Sequence, residues 1–178
     1  MKDIFIAFAK QNQDSDKAVL SLLDALDNAE REKNRKSYYK SLSGLARHIM
    51  GGTLFFLDLM GKAVPKNAGA QKAIADAAKI PCFGEKKLDE DGWKSFVTSI
   101  KKADKNLTAF VEALLDADFS APVAVPFYKG KPKTVPLFFM LQNLAAHNIH
   151  HRGQISQILD SLGIPNDYSA LSPSFLHA

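Results

Sequence analysis

The sequence predicts an all-α bundle, on two observations. Four segments carry apolar residues at helical spacing, and no run alternates apolar and polar residues for long enough to build a sheet. The chain has 178 residues, 46% hydrophobic and 24% charged, enough to bury one ordinary core, so residues 1–178 are read as a single domain.

The first helix is expected over residues 2–29, with Ile4, Phe5, Phe8, Val19, Leu22, Leu23 and Leu26 at its apolar positions. Its middle, residues 10–17, is wholly polar and either faces solvent, faces an interior polar site or bends the helix. The second helix begins near Ser37 or Ser41, either of which can cap it, and stops at Gly61 with Pro65 beyond. Leu42, Leu45, Ile49, Gly52, Phe56 and Leu59 lie along one stripe, bordered by His48 and Phe55. Residues 61–88 form too long a connection to be structureless, and the alanine-rich residues 70–79 are expected to form a short helix. The third long helix starts after Asp89 or Asp91 and carries Phe96, Ile100, Ala103, Leu107, Phe110 and Leu114 in 4-3-4-3 spacing. Pro122, Pro126, Gly130 and Pro132 prevent its continuation, so Val123 to Val125 and then Phe127-Tyr128 form at most a small hairpin. The last helix opens near Thr134-Val135-Pro136 and closes at Gly163 before Pro165.

Charge and cysteine usage narrow the classes of function. A lone cysteine, Cys82, excludes an internal disulfide framework and fits a reducing compartment, so a cytoplasmic location is expected. Lysine and arginine outnumber aspartate and glutamate by 23 to 19. The excess concentrates in residues 30–40 and at Lys129, Lys131 and Lys133, as solvated faces do, and nucleic acid is not the expected partner. Asp3 and Lys10 leave no apolar stretch for a signal peptide, and the uncharged run of residues 134–151 is too polar to span a membrane.

The histidines carry the chemistry. Three of the five, His147, His150 and His151, sit within five residues on the last helix. At 100° per residue, His151 stands about 40° around the axis from His147 and one turn above it, so both rings can point at one atom. His150 falls about 60° to the other side. Met140, Leu144, Ile155 and Ile158 flank the direction of His151 and place it in the apolar stripe, with His150 outside. Two buried imidazoles need partners for both ring nitrogens, because an unpaired buried polar group costs about 1–3 kcal/mol. A shared metal ion supplies them. His48 is the third candidate ligand. Gly52 lies one turn beyond it and Gly51 precedes that, at roughly 1 kcal/mol each relative to alanine; the pair reads either as an open volume beside a metal or as close helix packing. Three imidazoles without a fourth protein ligand leave a coordination position free, the pattern of a catalytic zinc site, with nickel, iron or copper also suited to imidazole.

These residues resemble the DinB/YfiT-like metalloenzymes, the DNA-damage-inducible DinB group. The likeness rests on His147-Asn148-Ile149-His150-His151-Arg152-Gly153-Gln154, similar to that family's H-x-x-x-H-R-G-Q signature, on Leu45-Ala46-Arg47-His48, on the approach Phe127-Tyr128-Lys129-Gly130 with Thr134-Val135-Pro136-Leu137, and on the exit Leu162-Gly163-Ile164-Pro165. It implies an up-and-down four-helix bundle with a long crossover between the second and third helices, often dimeric, with His48, His147 and His151 as metal ligands. It also implies divalent-metal-dependent thiol transfer to a small molecule, using a low-molecular-weight thiol. The DinB name records induction and implies no contact with DNA.

The remaining residues have narrower expectations. Gln154 and His150 are expected beside the ligands or in contact with substrate, and Gly52 at the pocket. Arg152 is expected in a salt bridge that braces the helix, and Gly153 where another helix packs closely. Cys82 is read as a structural or incidental thiol, Tyr38 and Tyr39 as surface or interface aromatics, Trp93 as an anchor of the third helix and His177 as incidental. Two other functions stand beside thiol transfer: hydrolysis at the same open site, and a non-catalytic dimeric bundle with a structural metal. DNA binding through residues 31–40 is a third.

Overall fold

The computed structural model describes residues 1–126 and 133–168. They form an all-α fold: α1 (Lys2–Asp24), α2 (Asn28–Arg31), α3 (Leu42–Ala63), α4 (Ala68–Ala77), α5 (Glu90–Ala113) and α6 (Leu137–Ser161), with a two-stranded hairpin before the last helix. Helix α3 packs along α6 and α5, and α1 along α5 and α6. None of the described helices is long and apolar enough to cross a membrane.

Side-chain caps set most of the helix boundaries. Ser41, not Ser37, starts α3 by accepting from Gly44 N at 3.0 Å, and Asp89, not Asp91, starts α5 by accepting from Gly92 N at 2.8 Å. The expected first helix of residues 2–29 is two helices, because Asp27 caps a new turn by accepting from Glu30 N at 2.7 Å. Asn67 likewise starts the alanine-rich helix at Ala68, two residues earlier than expected. Each such cap is worth about 1 kcal/mol. Helix α3 runs two residues past Gly61, whereas Gly163, at φ 71°, ends α6 by donating to Asp160 O while Ile164 donates to Leu159 O.

In the hairpin β1 (Pro122–Val125) pairs antiparallel with β2 (Lys133–Pro136), Val123 opposite Val135. Phe127-Tyr128, expected in the hairpin, lie outside the described residues, as do Lys129, Gly130, Lys131, Pro132 and His177. Ile4 and Phe8, expected in the core, are 59% and 42% exposed. Trp93 is buried and donates to Asp24 Oδ1 at 2.7 Å, tying the start of α5 to the end of α1.

Two apolar clusters form the core. One contains Phe56, Phe110, Phe119, Met140 and Leu144, the other Leu23, Leu45, Trp93, Phe96 and Leu159. Along all four long helices the clusters are interrupted by buried polar residues: Asn12, Ser15 and Asp16 on α1, Thr53 on α3, Asp104 on α5, Asn148 and Arg152 on α6. The polar middle of α1 thus faces an interior polar layer.

Candidate metal centre

His48 from α3 and His147 and His151 from α6 converge so that one ring nitrogen of each lies within 4.8 Å of the others. His147 Nε2 and His48 Nε2 are 2.9 Å apart, and the ring centroids of the three are 4.4–4.8 Å from one another. A tetrahedral ion with metal–nitrogen bonds of 2.0–2.1 Å needs ligand nitrogens about 3.4 Å apart, a spacing inside this spread. The cluster is compatible with a divalent metal site. Burial, then the neighbouring charges of His151 and His147, pushes His48 down to about 4. Burial also lowers His151, with the Gln154 hydrogen bond acting in the opposite direction. Both rings are therefore neutral near pH 7, the form that ligates.

Gly52 has a different role from an open volume beside His48. A Cβ there would come within 2.5 Å of His147 Cε1 and 3.1–3.2 Å of its two ring nitrogens, so the missing side chain is the space that the His147 ring occupies. Gly51 has nothing within 4 Å of such a Cβ and lines a cavity of about 830 Å³ shared with His48, Tyr39, Leu54, Cys82 and Phe83. Tyr39, half-buried, stacks its ring on His48 at 3.9 Å and meets His151 edge-on at 5.2 Å, while Tyr38 is 89% exposed. Arg47 donates to Gly84 O at 2.8 Å and to Lys86 O, holding that loop at the cavity rim. Cys82 is exposed.

The Nδ1 atoms of both α6 imidazoles, His147 and His151, are engaged away from the cluster. His151 Nδ1 donates to Gln154 Oε1 at 2.8 Å, and Gln154 Nε2 lies 3.3 Å from Nε2 of the exposed His150. Gln154 thus orients His151, leaving its Nε2 for the cluster. Gln154→Leu is expected to weaken zinc binding about 10-fold in competition with a chromophoric chelator; unchanged affinity would show that this bond has no bearing on the ligand. Gly153 faces open space, so none of the described helices packs on it.

Behind His147 lies the polar layer. His147 Nδ1 is 3.0 Å from Asn148 Oδ1, and Asn148 Nδ2 donates to Asn12 Oδ1 at 3.0 Å and Thr53 Oγ1 at 3.2 Å. Asn12 Nδ2 reaches Asp16 Oδ2 and Asp104 Oδ1, both at 3.2 Å. Arg152, buried, donates to Asn12 Oδ1 at 2.7 Å and Asp16 Oδ1 at 2.8 Å, so its salt bridge joins α6 to α1. Burial raises both carboxyl groups. Arg152 pulls mainly on Asp16, whereas Asp104, repelled by Asp16, is pushed well above the usual carboxylate range and holds the proton of the pair. Sequence reasoning missed Asn148, Asn12, Asp104 and Tyr39; an asparagine at about 100° from His147, beside Ile155 at about 80°, was the available signal for Asn148.

The basic run of residues 30–40 is partly internal. Arg31 is 2% exposed and paired with Glu90 at 2.7 Å, and Arg35 pairs with Glu30 at 2.5 Å. The sequence matches the DinB family over residues 1–169. Comparison with curated proteins and with solved structures returned no match.

Proposed function

The chain belongs to the DinB family, and from that premise we propose that His48, His147 and His151 hold a divalent metal ion in an enzyme that transfers a low-molecular-weight thiol to an electrophilic small molecule. The observation that carries this reading is the convergence of three imidazoles from two helices, one of which, His48, lines a cavity large enough for a small molecule. Zinc is favoured, since three imidazoles and, among the described residues, no fourth protein ligand suit a tetrahedral site with one free position; nickel and iron accept the same ligands. A divalent cation there supplies Lewis acidity, which lowers the pKa of a thiol or water reaching it.

The protein's own residues have separable tasks. His147 and His151 present Nε2 because Asn148 and Gln154 occupy their Nδ1 atoms. Tyr39 covers one face of His48 and excludes water from it. Leu54 and Phe83 offer the cavity apolar surface for the substrate body. In the transfer, the thiol S–H gives up its proton, a sulfur–carbon bond forms, and the electrophile's leaving group departs with the electron pair. We read the four long helices as one up-and-down bundle domain, with α4 in the crossover between α3 and α5. The protein is placed in the cytoplasm as a homodimer; Phe8 and Ile149, exposed along one surface groove, support the pairing.

Purified protein is expected to bind one zinc per chain and to consume a small thiol in the presence of an alkyl halide. His151→Ala should lose both. A chelator should leave the melting transition largely in place, because apolar clusters on both sides of the polar layer hold the helices. No stoichiometric metal in wild type would overturn the reading, as would collapse of the fold on chelation. Ester cleavage without thiol would replace transfer with hydrolysis.

A further inference from the structure

We infer that Asn148 is a positioning residue that locks His147 in the tautomer with its proton on Nδ1 and its lone pair on Nε2. The inference rests on the reading of His147 as a metal ligand. It follows from the direction of each hydrogen bond in the buried layer behind that ring.

A guanidinium only donates, so the atom of Asn12 that meets Arg152 at 2.7 Å is its carbonyl oxygen. The other end of Asn12 faces Asp16 and Asp104 at 3.2 Å and must be its NH₂ group. Asn12 is therefore oriented from both sides. Its Oδ1 lies 3.0 Å from the Asn148 amide, which must donate there through Nδ2. Thr53 agrees with this direction: with its hydroxyl donating to Ile49 O at 3.1 Å, its oxygen accepts from Asn148 Nδ2 at 3.2 Å. Asn148 is then left with Oδ1 toward His147 Nδ1 at 3.0 Å. A carbonyl oxygen only accepts, so Nδ1 must carry the hydrogen. A neutral ring with Nδ1–H has its lone pair on Nε2, the atom facing His48.

The chain of bonds is shielded from exchange with water. Asn148 is 0% exposed, and Asn12, Thr53, Asp16, Asp104 and Arg152 are all buried. Reversing the Asn148 amide would set its NH₂ against His147 and its oxygen against the oxygens of Asn12 and Thr53, leaving unsatisfied buried groups at about 1–3 kcal/mol each. In water a neutral imidazole prefers its hydrogen on Nε2, which would block the ligating atom. The lock works against that preference, and its origin is Arg152, two bonds away.

Nitrogen-15 spectra of the metal-free wild-type protein at pH 8, with labelled histidine, test the lock without any substitution. His147 is expected as the Nδ1–H tautomer; an Nε2–H or evenly mixed signal would overturn the inference. Asn148→Leu is expected to mix the two tautomers and to weaken zinc binding 10- to 100-fold in chelator competition. A folded Asn148→Leu protein with wild-type tautomer or wild-type affinity would also overturn it. Should wild type show Nδ1–H but bind no zinc, the lock stands and the metal reading alone falls.

Discussion

Asp16→Asn is expected to destabilise the protein by about 3–5 kcal/mol, whereas Asp104→Asn, one hydrogen bond away, is expected to cost less than about 1 kcal/mol near pH 5. Both carboxyl groups are buried, at 2% and 3% exposure, and both touch Asn12. The difference lies in charge. Asp16 is the direct partner of Arg152 at 2.8 Å, and its loss leaves the buried guanidinium without its directly paired carboxylate. Asp104 already holds the proton, so an amide in its place donates to Asp16 where the carboxyl did and still accepts from Asn12.

The same assignment has a pH signature. Asp104 is raised in the folded state, so its contribution to stability is fully present below the ordinary carboxylate pKa near 4 and is lost as pH rises through its folded value. Across that window wild type should lose up to about 1.4 kcal/mol per pH unit that Asp104→Asn retains. Urea unfolding at pH 5 and pH 8, with chelator present, measures both variants. Equal cost from the two substitutions, or parallel pH profiles for wild type and Asp104→Asn, would remove the charge assignment.

Gly52→Ala should separate stability from metal binding. A mid-helix alanine is favoured over glycine by about 1 kcal/mol, so α3 gains. The new methyl would fall 2.5 Å from His147 Cε1, and of the two groups the imidazole, at the end of a rotatable side chain, gives way before the helix backbone does. Turning that ring aside removes one of the three proposed ligands and breaks the bond to Asn148. Zinc affinity is expected to fall on the order of 100-fold or more, at or beyond the upper end for losing an outer partner. The melting temperature of the metal-free protein should change little, because the helix gain of about 1 kcal/mol is offset by the buried Asn148 oxygen left without its donor. Near-wild-type affinity in the alanine variant would show that His147 does not need the place it occupies.

Much of the architecture was readable because burial within a helix follows a local repeat. The α5 residues Phe96, Ile100, Ala103, Leu107, Phe110 and Leu114 are all buried, as their spacing requires. Boundaries were less readable where a cap sits inside a continuous helical pattern: Asp27 interrupts a favourable run, and Asn67 precedes the alanine-rich one. Ile4 and Phe8 illustrate another limit: Phe5 and Ala9 beside them are buried, so the face of α1 that its neighbours cover is narrower than its apolar stripe.

The site divides along the same line. That His147 and His151 share a face, with His150 turned away, is a matter of angle around one axis, and the order of residues on α6 determines it. The distance between two helices is a different quantity, set by how side chains from distant parts of the chain fill the space between them. Gly52 shows the consequence: the sequence allows a void or a close approach, and only α6 lying against α3 makes it the seat of the His147 ring. The polar stretch in α1 was equally open, until packing turned Asn12 and Asp16 toward Arg152 and Asn148. Periodicity determines which way a side chain points; tertiary packing decides what it meets, and hydrogen-bond direction, hence the chemistry of a ring nitrogen, belongs to that meeting.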